Sequence, residues 1–223
     1  MERFLEPELM NDEAQAAAYA AFDFREPNSN FIKFFIKLYG DSRFRRPVLD
    51  LGCGPADIAV RFARIFPQCV IHAVDGSQVM LNEGRKALQG AADVGEQVEL
   101  IHGVLPNVTL PNKRYDVVMS NSLLHHLHHP DVLWDTVKKY AASDARILMM
   151  DLKRPETQDQ AGKLVETYAA GGAEILKRDF YNSLLAAFTI NEVREQLKGA
   201  GLGYLSIMNV TELHLAVFGH IRK

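Results

Sequence analysis

The sequence predicts an α/β fold: a doubly wound, mostly parallel, seven-stranded sheet of the Rossmann-like kind with an antiparallel last strand. In the middle of the chain, short runs rich in Val, Ile and Leu alternate with segments whose apolar residues recur at helical spacing. Such alternation indicates parallel strands joined by crossover helices. Only three residues separate the last two strand-like runs, 204–210 and 214–218. A parallel crossover needs about a dozen, so these two strands must be antiparallel if they pair.

Apolar spacing and capping residues predict the elements before residue 152. An Ala-rich segment after Asn11-Asp12 predicts a helix over 13–22. Asn28-Ser29-Asn30 predicts the cap of a second helix over 31–39, which Gly40 closes. The elements predicted after it are strands 48–51, 69–74, 98–101, 115–120 and 145–150 and helices 58–66, 77–88 and 132–141.

The last third of the chain departs from this alternation. Two predicted helices, 156–168 and 174–188, follow one another with no strand between them. Thr189 and Glu192 then form a capping box that opens a further helix, which stops at Gly199. We therefore divide a single domain, 1–223, into an N-terminal helical cover (1–46), a cofactor-binding core (47–151), a helical insertion (152–189) and a C-terminal helix and strand pair (190–223).

Composition and charge argue against several classes of function. The chain has 25 Lys and Arg against 28 Asp and Glu, and the basic residues are scattered, so we expect no nucleic-acid partner. The longest run without a charged residue, 117–130, is shorter than the roughly 20 apolar residues of a membrane span. No apolar leader follows Met1, and Cys53 and Cys69 are interpreted as reduced thiols. We therefore expect no membrane association and a cytoplasmic location.

One segment combines a strand, a glycine loop and the start of a helix. Residues 48–51 run into Gly52-Cys53-Gly54, where glycines allow positive φ and a close approach of the backbone to a ligand. Asp75 ends the next predicted strand along the chain, where a carboxylate can accept hydrogen bonds from both hydroxyls of a ribose. The two strand ends meet at the same edge of the sheet, so the pattern predicts a nucleoside-binding crevice.

The same loop distinguishes between two nucleoside cofactors. A pyrophosphate-binding loop requires a third glycine where Asp57 stands, and an acid there would place negative charge beside a phosphate. The loop therefore favours S-adenosylmethionine over a nicotinamide dinucleotide. An NAD(P)-dependent oxidoreductase is the alternative enzyme, and a non-catalytic protein that binds S-adenosylmethionine is the alternative from another class.

Several motifs together resemble one family of enzymes. The segments 49–55 and 74–77, with 115–121 and the paired His125-His126, resemble the class I S-adenosylmethionine-dependent methyltransferases. The resemblance implies these cofactor-binding residues: Tyr19, Asp50, Gly52, Cys53, Gly54, Asp75, Gly76, Met80, Val104 and Asn121.

The resemblance also implies how these residues divide the cofactor among them. It implies that Gly52 and Gly54 line the methionine portion and that Asp50 binds its ammonium group. It implies that Asp75 binds the ribose and that Gly76 and Met80 flank the adenine. Asn121 would lie near the amino acid moiety. Aromatic side chains of the N-terminal cover, Tyr19, Phe22 and Phe24, are candidates for cation–π contact with the sulfonium. Two residues depart from the pattern: Ala56 replaces a frequent glycine, and Val104 replaces the usual acid that recognises adenine.

The candidate catalytic residues are His125, His126 and Tyr181. A neutral imidazole of His125 or His126 is suited to general-base catalysis. If the segment were helical, His125 and His129 would share a face and could bind a metal. Pro130 interrupts the segment, and we expect no metal. Tyr181 belongs to the insertion, which lies over the crevice in this kind of sheet.

The sequence thus predicts a methyltransferase that moves a methyl group from S-adenosylmethionine to a small-molecule acceptor and leaves S-adenosylhomocysteine. A mildly acidic chain without a basic face favours a small acceptor over a polymer. Apolar residues on the N-terminal helices are compatible with a homodimer.

Overall fold

A computed structural model describes residues 1–40 and 47–222 of the chain. Within them the strands are β1 (Pro47–Leu51), β2 (Val70–Asp75), β3 (Val98–His102), β4 (Tyr115–Asn121), β5 (Ala141–Leu152), β6 (Ser206–Asn209) and β7 (His214–His220). They form one sheet in the order β3-β2-β1-β4-β5-β7-β6. Strands β1 to β5 are parallel, and β7 is antiparallel to both β5 and β6. The predicted fold class is confirmed, including the antiparallel last strand.

Helices cover both faces of this sheet. They are α1 (Glu13–Ala21), α2 (Arg25–Tyr39), α3 (Asp57–Ile65), α4 (Gln78–Gln89), α5 (Asp131–Tyr140), α6 (Gln158–Tyr168), α7 (Glu174–Ala186) and α8 (Ile190–Gly199). Two 3₁₀ helices, Gly95–Gln97 and Leu124–His126, complete the set in the described ranges. In the part of the chain that the structure describes, no helix combines the length and apolar character needed to cross a membrane.

Strand β1 shows how the sheet is buried on both faces. Val48 belongs to an apolar cluster with α2 and α3, whereas Leu49 and Leu51 belong to the opposite cluster with α5 and α8. All three side chains are fully buried. Two-sided burial explains the almost continuous apolar sequence of β1, in which Asp50 is the exception.

Two predicted boundaries are wrong for identifiable reasons. Helix α2 begins at Arg25, not after a cap at residues 28–30. Pro27 is tolerated in its first turn, where backbone N–H groups have no partner within the helix, and Asn28 donates instead to Asp57. Strand β5 begins at Ala141, where the sequence predicts the end of a helix. An irregularity in the β4–β5 register lies between the first residues of this extension and the regular pairing.

The C-terminal predictions agree more closely with the structure. Helix α8 begins after Thr189, whose side chain accepts a hydrogen bond from the Glu192 backbone while the Glu192 side chain accepts one from the Thr189 backbone. The predicted capping box is therefore confirmed. Cys53 and Cys69 are both buried thiols.

The first twelve residues form an extended segment across the carboxyl edge of the sheet, which we term the N-terminal strap (residues 1–12). The Arg3 guanidinium donates to the backbone carbonyls of Ala186, His125 and Leu127 at 2.6, 2.9 and 3.1 Å. The same guanidinium lies 3.8 Å from the centre of the Phe188 ring. The strap therefore connects the helical insertion to the core.

Phe35 is the main apolar anchor of α2, so its removal tests how the N-terminal cover is held. Its buried ring lies 4.9 Å from the Phe62 ring and 5.8 Å from the Phe66 ring, centre to centre. We expect Phe35→Ala to lower the free energy of unfolding by about 3–5 kcal/mol, because a cavity replaces the ring. Chemical denaturation measures the loss. The exposed Lys33→Ala on the same helix should change stability by less than about 0.5 kcal/mol, and equal effects of the two would contradict this packing.

Candidate active site

A cavity of about 1110 Å³ opens at the carboxyl ends of the parallel strands. Strand β1 lies between β2 and β4, so the connections that follow these strands diverge to opposite sides of the sheet at this point. Open α/β sheets bind ligands at such a switch point. The glycine loop after β1, the strap, α1, α4 and α7 all contribute to the wall.

The glycine loop has the backbone conformation that its sequence predicts. Gly52 and Gly54 have φ values of 69° and 52°, and Ala56 has 64°. A Cβ atom on Gly52 would lie 2.8 Å from Leu123 Cδ1, so a side chain there has no space. Ala56 adopts the left-handed conformation without being glycine, at a cost of about 1–2 kcal/mol. The presence of Ala56 instead of the frequent glycine therefore adds backbone strain but leaves the shape of the loop unchanged.

Asp75 lies where the sequence predicts, at the end of β2 facing the loop. Its Oδ2 accepts a hydrogen bond from the Gly54 N–H and its Oδ1 one from the Ser77 N–H, both at 2.8 Å. Burial raises the pKa of Asp75, and these backbone donors oppose that shift. Each carboxylate oxygen has a further lone pair that can accept from a ligand hydroxyl.

Asp50 is a buried carboxylate with an unpartnered oxygen. Its side chain is 1% exposed, and its Oδ2 has no hydrogen-bond partner among the described residues. Burial, and then the charge of Asp75, raise the pKa of Asp50 to about 8. A cation delivered to this position would relieve the desolvation of the carboxylate.

The far end of the cavity brings Gly76, Met80 and Val104 together, as the sequence predicts. A Cβ atom on Gly76 would lie 2.7 Å from Leu9 Cδ2 and 3.3 Å from Val104 Cγ2. The open face of Gly76 therefore receives a side chain of the strap, which the sequence analysis did not anticipate. Val104 is 49% exposed and supplies only apolar surface, where the family that the sequence resembles usually has an acid.

The aromatic candidates of the N-terminal cover reach the cavity. Tyr19, Phe22 and Phe24 all line it, and the Phe24 ring lies 4.6 Å from the Tyr19 ring and 4.9 Å from the Phe22 ring, centre to centre. Burial raises the pKa of Tyr19 to about 12, so its phenol is neutral. Cys53 and Asn121 also line the wall, and burial raises the pKa of the Cys53 thiol well above its ordinary value.

At the opposite end of the cavity, His125 is held by an aspartate. His125 Nδ1 lies 2.6 Å from Asp151 Oδ1, and Asp151 Oδ2 accepts a hydrogen bond from the Leu124 N–H at 2.7 Å. Burial by itself lowers the pKa of His125, but the charge and hydrogen bond of Asp151, with Glu6 nearby, raise it overall. Asp151 therefore fixes the orientation of this imidazole.

His126 and Glu6 complete that end of the site. Burial, and then the neighbouring His125, lower the pKa of His126 to about 3, so its imidazole is neutral near pH 7. Glu6 extends from the strap toward both histidines, and burial raises the pKa of its carboxyl group. The helical pairing of His125 with His129 is wrong, because the segment forms only a short 3₁₀ helix that ends at His126.

Tyr181 lies on a different face of α7 from the residues that line the cavity beside these histidines. Residues 176, 179, 180 and 183 of this helix line the cavity, which is the spacing of one helical face. Tyr181 lies outside that face and packs against an apolar cluster that includes Leu184 and Leu185. The structure thus brings two of the three candidate catalytic residues together and not the third.

Sequence reasoning missed two residues of the site. Asp151 stands near the end of β5, and its position at a strand end was a usable signal, because the carboxyl ends of parallel strands share one edge. Glu6 carries no local signal, since it belongs to an extended segment without a motif.

Comparison with known proteins relates this chain to one class of enzyme. Residues 48–143 match the family model described as a methyltransferase domain. An uncharacterized methyltransferase of Mycobacterium tuberculosis is 24% identical over 155 residues, which are 68% of this chain and 75% of the relative. The ubiquinone/menaquinone biosynthesis C-methyltransferase UbiE of Vibrio vulnificus is 26% identical over 176 residues, 74% of this chain and 66% of the relative.

Solved structures support the same assignment at the level of the fold. A SAM-dependent methyltransferase from Aquifex aeolicus superposes with a TM-score of 0.66 at 16% identity and covers 94% of this chain and 98% of its own. The plantazolicin methyltransferase BpumL, solved in complex with SAH, gives 0.62 at 14% identity, with 95% and 96% coverage. The family model, the named relatives and the solved structures together support a class I S-adenosylmethionine-dependent methyltransferase. The nicotinamide alternative is therefore set aside.

The residues present fit this cofactor. The buried, unpartnered Oδ2 of Asp50 suits a cationic group, and the glycine loop leaves space that a Cβ at Gly52 would remove. The remaining lone pairs of Asp75 suit ligand hydroxyls.

The raised pKa of Asp50 predicts a pH-dependent stability of the ligand-free protein. Folded Asp50 keeps its proton up to about pH 8, whereas the unfolded carboxyl group releases it near pH 4. Wild-type stability should therefore fall as pH rises through this window, by up to about 1.4 kcal/mol per pH unit. Asp50→Asn lacks this loss, so its advantage over wild type should grow between pH 5 and 8 in chemical denaturation. A pH-independent difference, or the same trend in the exposed Asp93→Asn, would contradict the assignment.

Proposed function

We propose that the enzyme methylates a small molecule that binds between the cofactor end of the cavity and His125. The observation that carries this proposal is the volume of the cavity and its position at the carboxyl ends of the strands. At about 1110 Å³ it exceeds the roughly 300–1,000 Å³ of a typical single-ligand pocket. The strap and α7 form part of the wall at the histidine end, which favours a compact acceptor over a polymer.

The cofactor end is assigned from the contacts described above. Asp50 binds the ammonium group, and Asp75 binds the ribose hydroxyls. Gly52, Cys53 and Gly54 form the close backbone surface for the methionine portion. The bound cofactor supplies an electrophilic methyl group on a sulfonium, and the protein residues position the reactants.

The charge of the cavity supports a cationic cofactor. Acidic side chains, among them Asp50, Asp75 and Asp179, outnumber the basic ones in its wall, where Arg61 is paired with Asp57. The aromatic rings of Tyr19, Phe22 and Phe24 add electron-rich faces, which attract cations. This arrangement favours a sulfonium and disfavours a phosphate.

The acceptor end is assigned to the surroundings of His125 and His126, which we propose activate the nucleophilic atom of the acceptor. Asp151 orients His125 and so fixes which nitrogen faces the acceptor. Phe180 and Leu176 supply apolar wall for the body of the acceptor. Methyl transfer depends chiefly on alignment of the reacting atoms, so a cavity that holds cofactor and acceptor side by side is well suited to it.

Named relatives support a small acceptor without identifying it. UbiE is named for ubiquinone and menaquinone biosynthesis, and a relative in Mycolicibacterium gilvum is named trans-aconitate 2-methyltransferase. BpumL is named for plantazolicin. Of these acceptors, the small molecules agree best with the mildly acidic chain, which has no basic face for a polymer.

A methyl-release screen tests the proposal. The protein is incubated with S-adenosylmethionine and a panel of small metabolites, and S-adenosylhomocysteine is measured. We expect release above the acceptor-free rate with a small compound. Release only with peptides or nucleic acids, and with no member of the small-molecule panel, would overturn the acceptor class.

Asp75 gives the most direct test of the cofactor assignment. Hydrogen bonds to a charged group contribute about 1.5–3 kcal/mol each, so Asp75→Ala should raise the dissociation constant for S-adenosylhomocysteine at least roughly tenfold. Calorimetry measures it. The exposed Asp93→Ala is the control, and thermal melting verifies folding. Unchanged affinity of a folded Asp75→Ala would remove Asp75 from the site.

The unpartnered oxygen of Asp50 predicts a pH-dependent affinity. An ammonium group favours the charged carboxylate, so cofactor binding should release the proton that Asp50 holds below about pH 8. Affinity for S-adenosylhomocysteine should therefore rise with pH from 6 to 8, by at most about tenfold per unit. Calorimetry at several pH values measures the slope. Asp50→Asn should bind weakly with no such slope, and an equal slope in this variant would assign the proton elsewhere.

A further inference from the structure

Three side chains from two distant parts of the chain converge at the acceptor end. Glu6 Oε1 lies 3.6 Å from His125 Nε2 and 3.3 Å from His126 Nδ1. One potential ligand atom from each residue lies within 4.8 Å of the other two. The strap supplies the carboxylate, so this cluster differs from the His125–His129 pairing that the sequence suggested.

Hydrogen bonds among the described residues do not account for the convergence. Glu6 Oε1 is buried without a hydrogen-bond partner in the described part of the chain, and only 9% of the Glu6 side chain is exposed. Its Oε2, in contrast, accepts from Ser183 Oγ at 3.2 Å. His126 Nδ1 lies 3.4 Å from the Pro7 carbonyl, beyond the usual range of an N–H···O hydrogen bond. A buried carboxylate oxygen of this kind requires a cation or a donor.

The surroundings also leave the imidazole of His125 ready to act as a ligand. Because Asp151 Oδ1 lies 2.6 Å from Nδ1 of His125, Nδ1 is the nitrogen that holds its proton, and Nε2 is the nitrogen that faces Glu6 and that a metal would deprotonate on binding. Metal-ligating histidines commonly have a carboxylate on the other ring nitrogen, which fixes the tautomer and raises ligand basicity. Asp151 occupies that position.

The two separations from Glu6 agree with a tetrahedral site. Ligand atoms about 2.0–2.1 Å from a tetrahedral zinc ion are roughly 3.3 Å from one another. The two measured separations from Glu6 Oε1, 3.3 and 3.6 Å, are close to this value. Two imidazoles and one carboxylate are a ligand set of catalytic zinc sites, whereas magnesium and calcium prefer oxygen ligands throughout.

We propose that Glu6, His125 and His126 bind a zinc ion, with Asp151 as the positioning residue behind His125 and a fourth coordination position open to the cavity. Both histidines line the cavity wall, so a ligand in the cavity can reach that position. The strap is then part of the site, because Arg3 fastens it to the carbonyls of His125 and Leu127.

The consequence for the acceptor rests on the proposed function. A hydroxyl or thiol at the fourth position would lose its proton to water more readily, because the cation stabilises the resulting oxygen or sulfur anion. This replaces direct proton transfer to an imidazole, since the lone pairs of both histidines are engaged by the metal. The acceptor class is thereby narrowed to small molecules with an ionisable O–H or S–H group.

Zinc binding by the full chain tests the site without reference to activity. Protein dialysed against a chelator is titrated with zinc chloride, with elemental analysis for stoichiometry. We expect one zinc ion per chain, and we expect Glu6→Gln and His126→Gln each to weaken binding at least roughly tenfold. Glu8→Gln and His128→Gln are matched controls, because this neighbouring, more exposed pair also joins the strap to the histidine segment.

The outcomes separate the metal site from the proposed function. Absence of stoichiometric zinc in the wild type, unchanged zinc affinity in both Glu6→Gln and His126→Gln, or an equal loss in the controls would overturn the site. Calorimetry with S-adenosylhomocysteine verifies that each variant is folded. If one of the two variants does not fold, the zinc affinity of the other still tests the site. Zinc binding without S-adenosylhomocysteine binding by the wild type would support the site and contradict the proposed function.

Discussion

The structure depends on how negative charge is compensated at the carboxyl edge of the parallel sheet. Asp50, Asp75 and Asp151 lie at or next to the ends of β1, β2 and β5, and parallel strands place all of these ends on one edge. Asp75 is compensated by two backbone N–H groups and Asp151 by one N–H group and an imidazole. Among the described residues, Asp50 has an oxygen without such a partner. The fold thus leaves one position at this edge for a cationic ligand.

The remaining features of the site follow from this constraint. The left-handed glycine loop brings the Gly54 N–H to Asp75, and the short 3₁₀ helix brings the Leu124 N–H and His125 to Asp151. These two loops hold opposite ends of the cavity. The N-terminal strap crosses between them, since Met10 accepts a hydrogen bond from Ser77 while Glu6 lies beside the histidines. The strap therefore contacts both ends of the cavity.

Much of the fold was predictable because its signals are local. Alternating apolar runs locate strands β1 to β5, and the capping box at Thr189 locates α8. Errors occurred where tertiary contacts override local preference. Asn28 has the composition of a cap but donates to Asp57 from inside α2, and β5 extends back to Ala141 because it pairs with Tyr115 of β4. Neither partner is near in sequence.

The glycine loop, the strand-end acid Asp75 and the paired histidines could all be identified from the sequence alone. Each is a short pattern whose chemistry depends on neighbouring residues. Only the tertiary structure decided which groups face one another across the cavity. It joined Glu6 to His125 and His126, and turned Tyr181 away. The physical reason is that the strap has no periodic pattern, and its position depends on long-range hydrogen bonds from Arg3 that no local rule encodes. The glycine-loop end of the cavity was thus visible in the sequence, whereas the arrangement around His125 depends on folding.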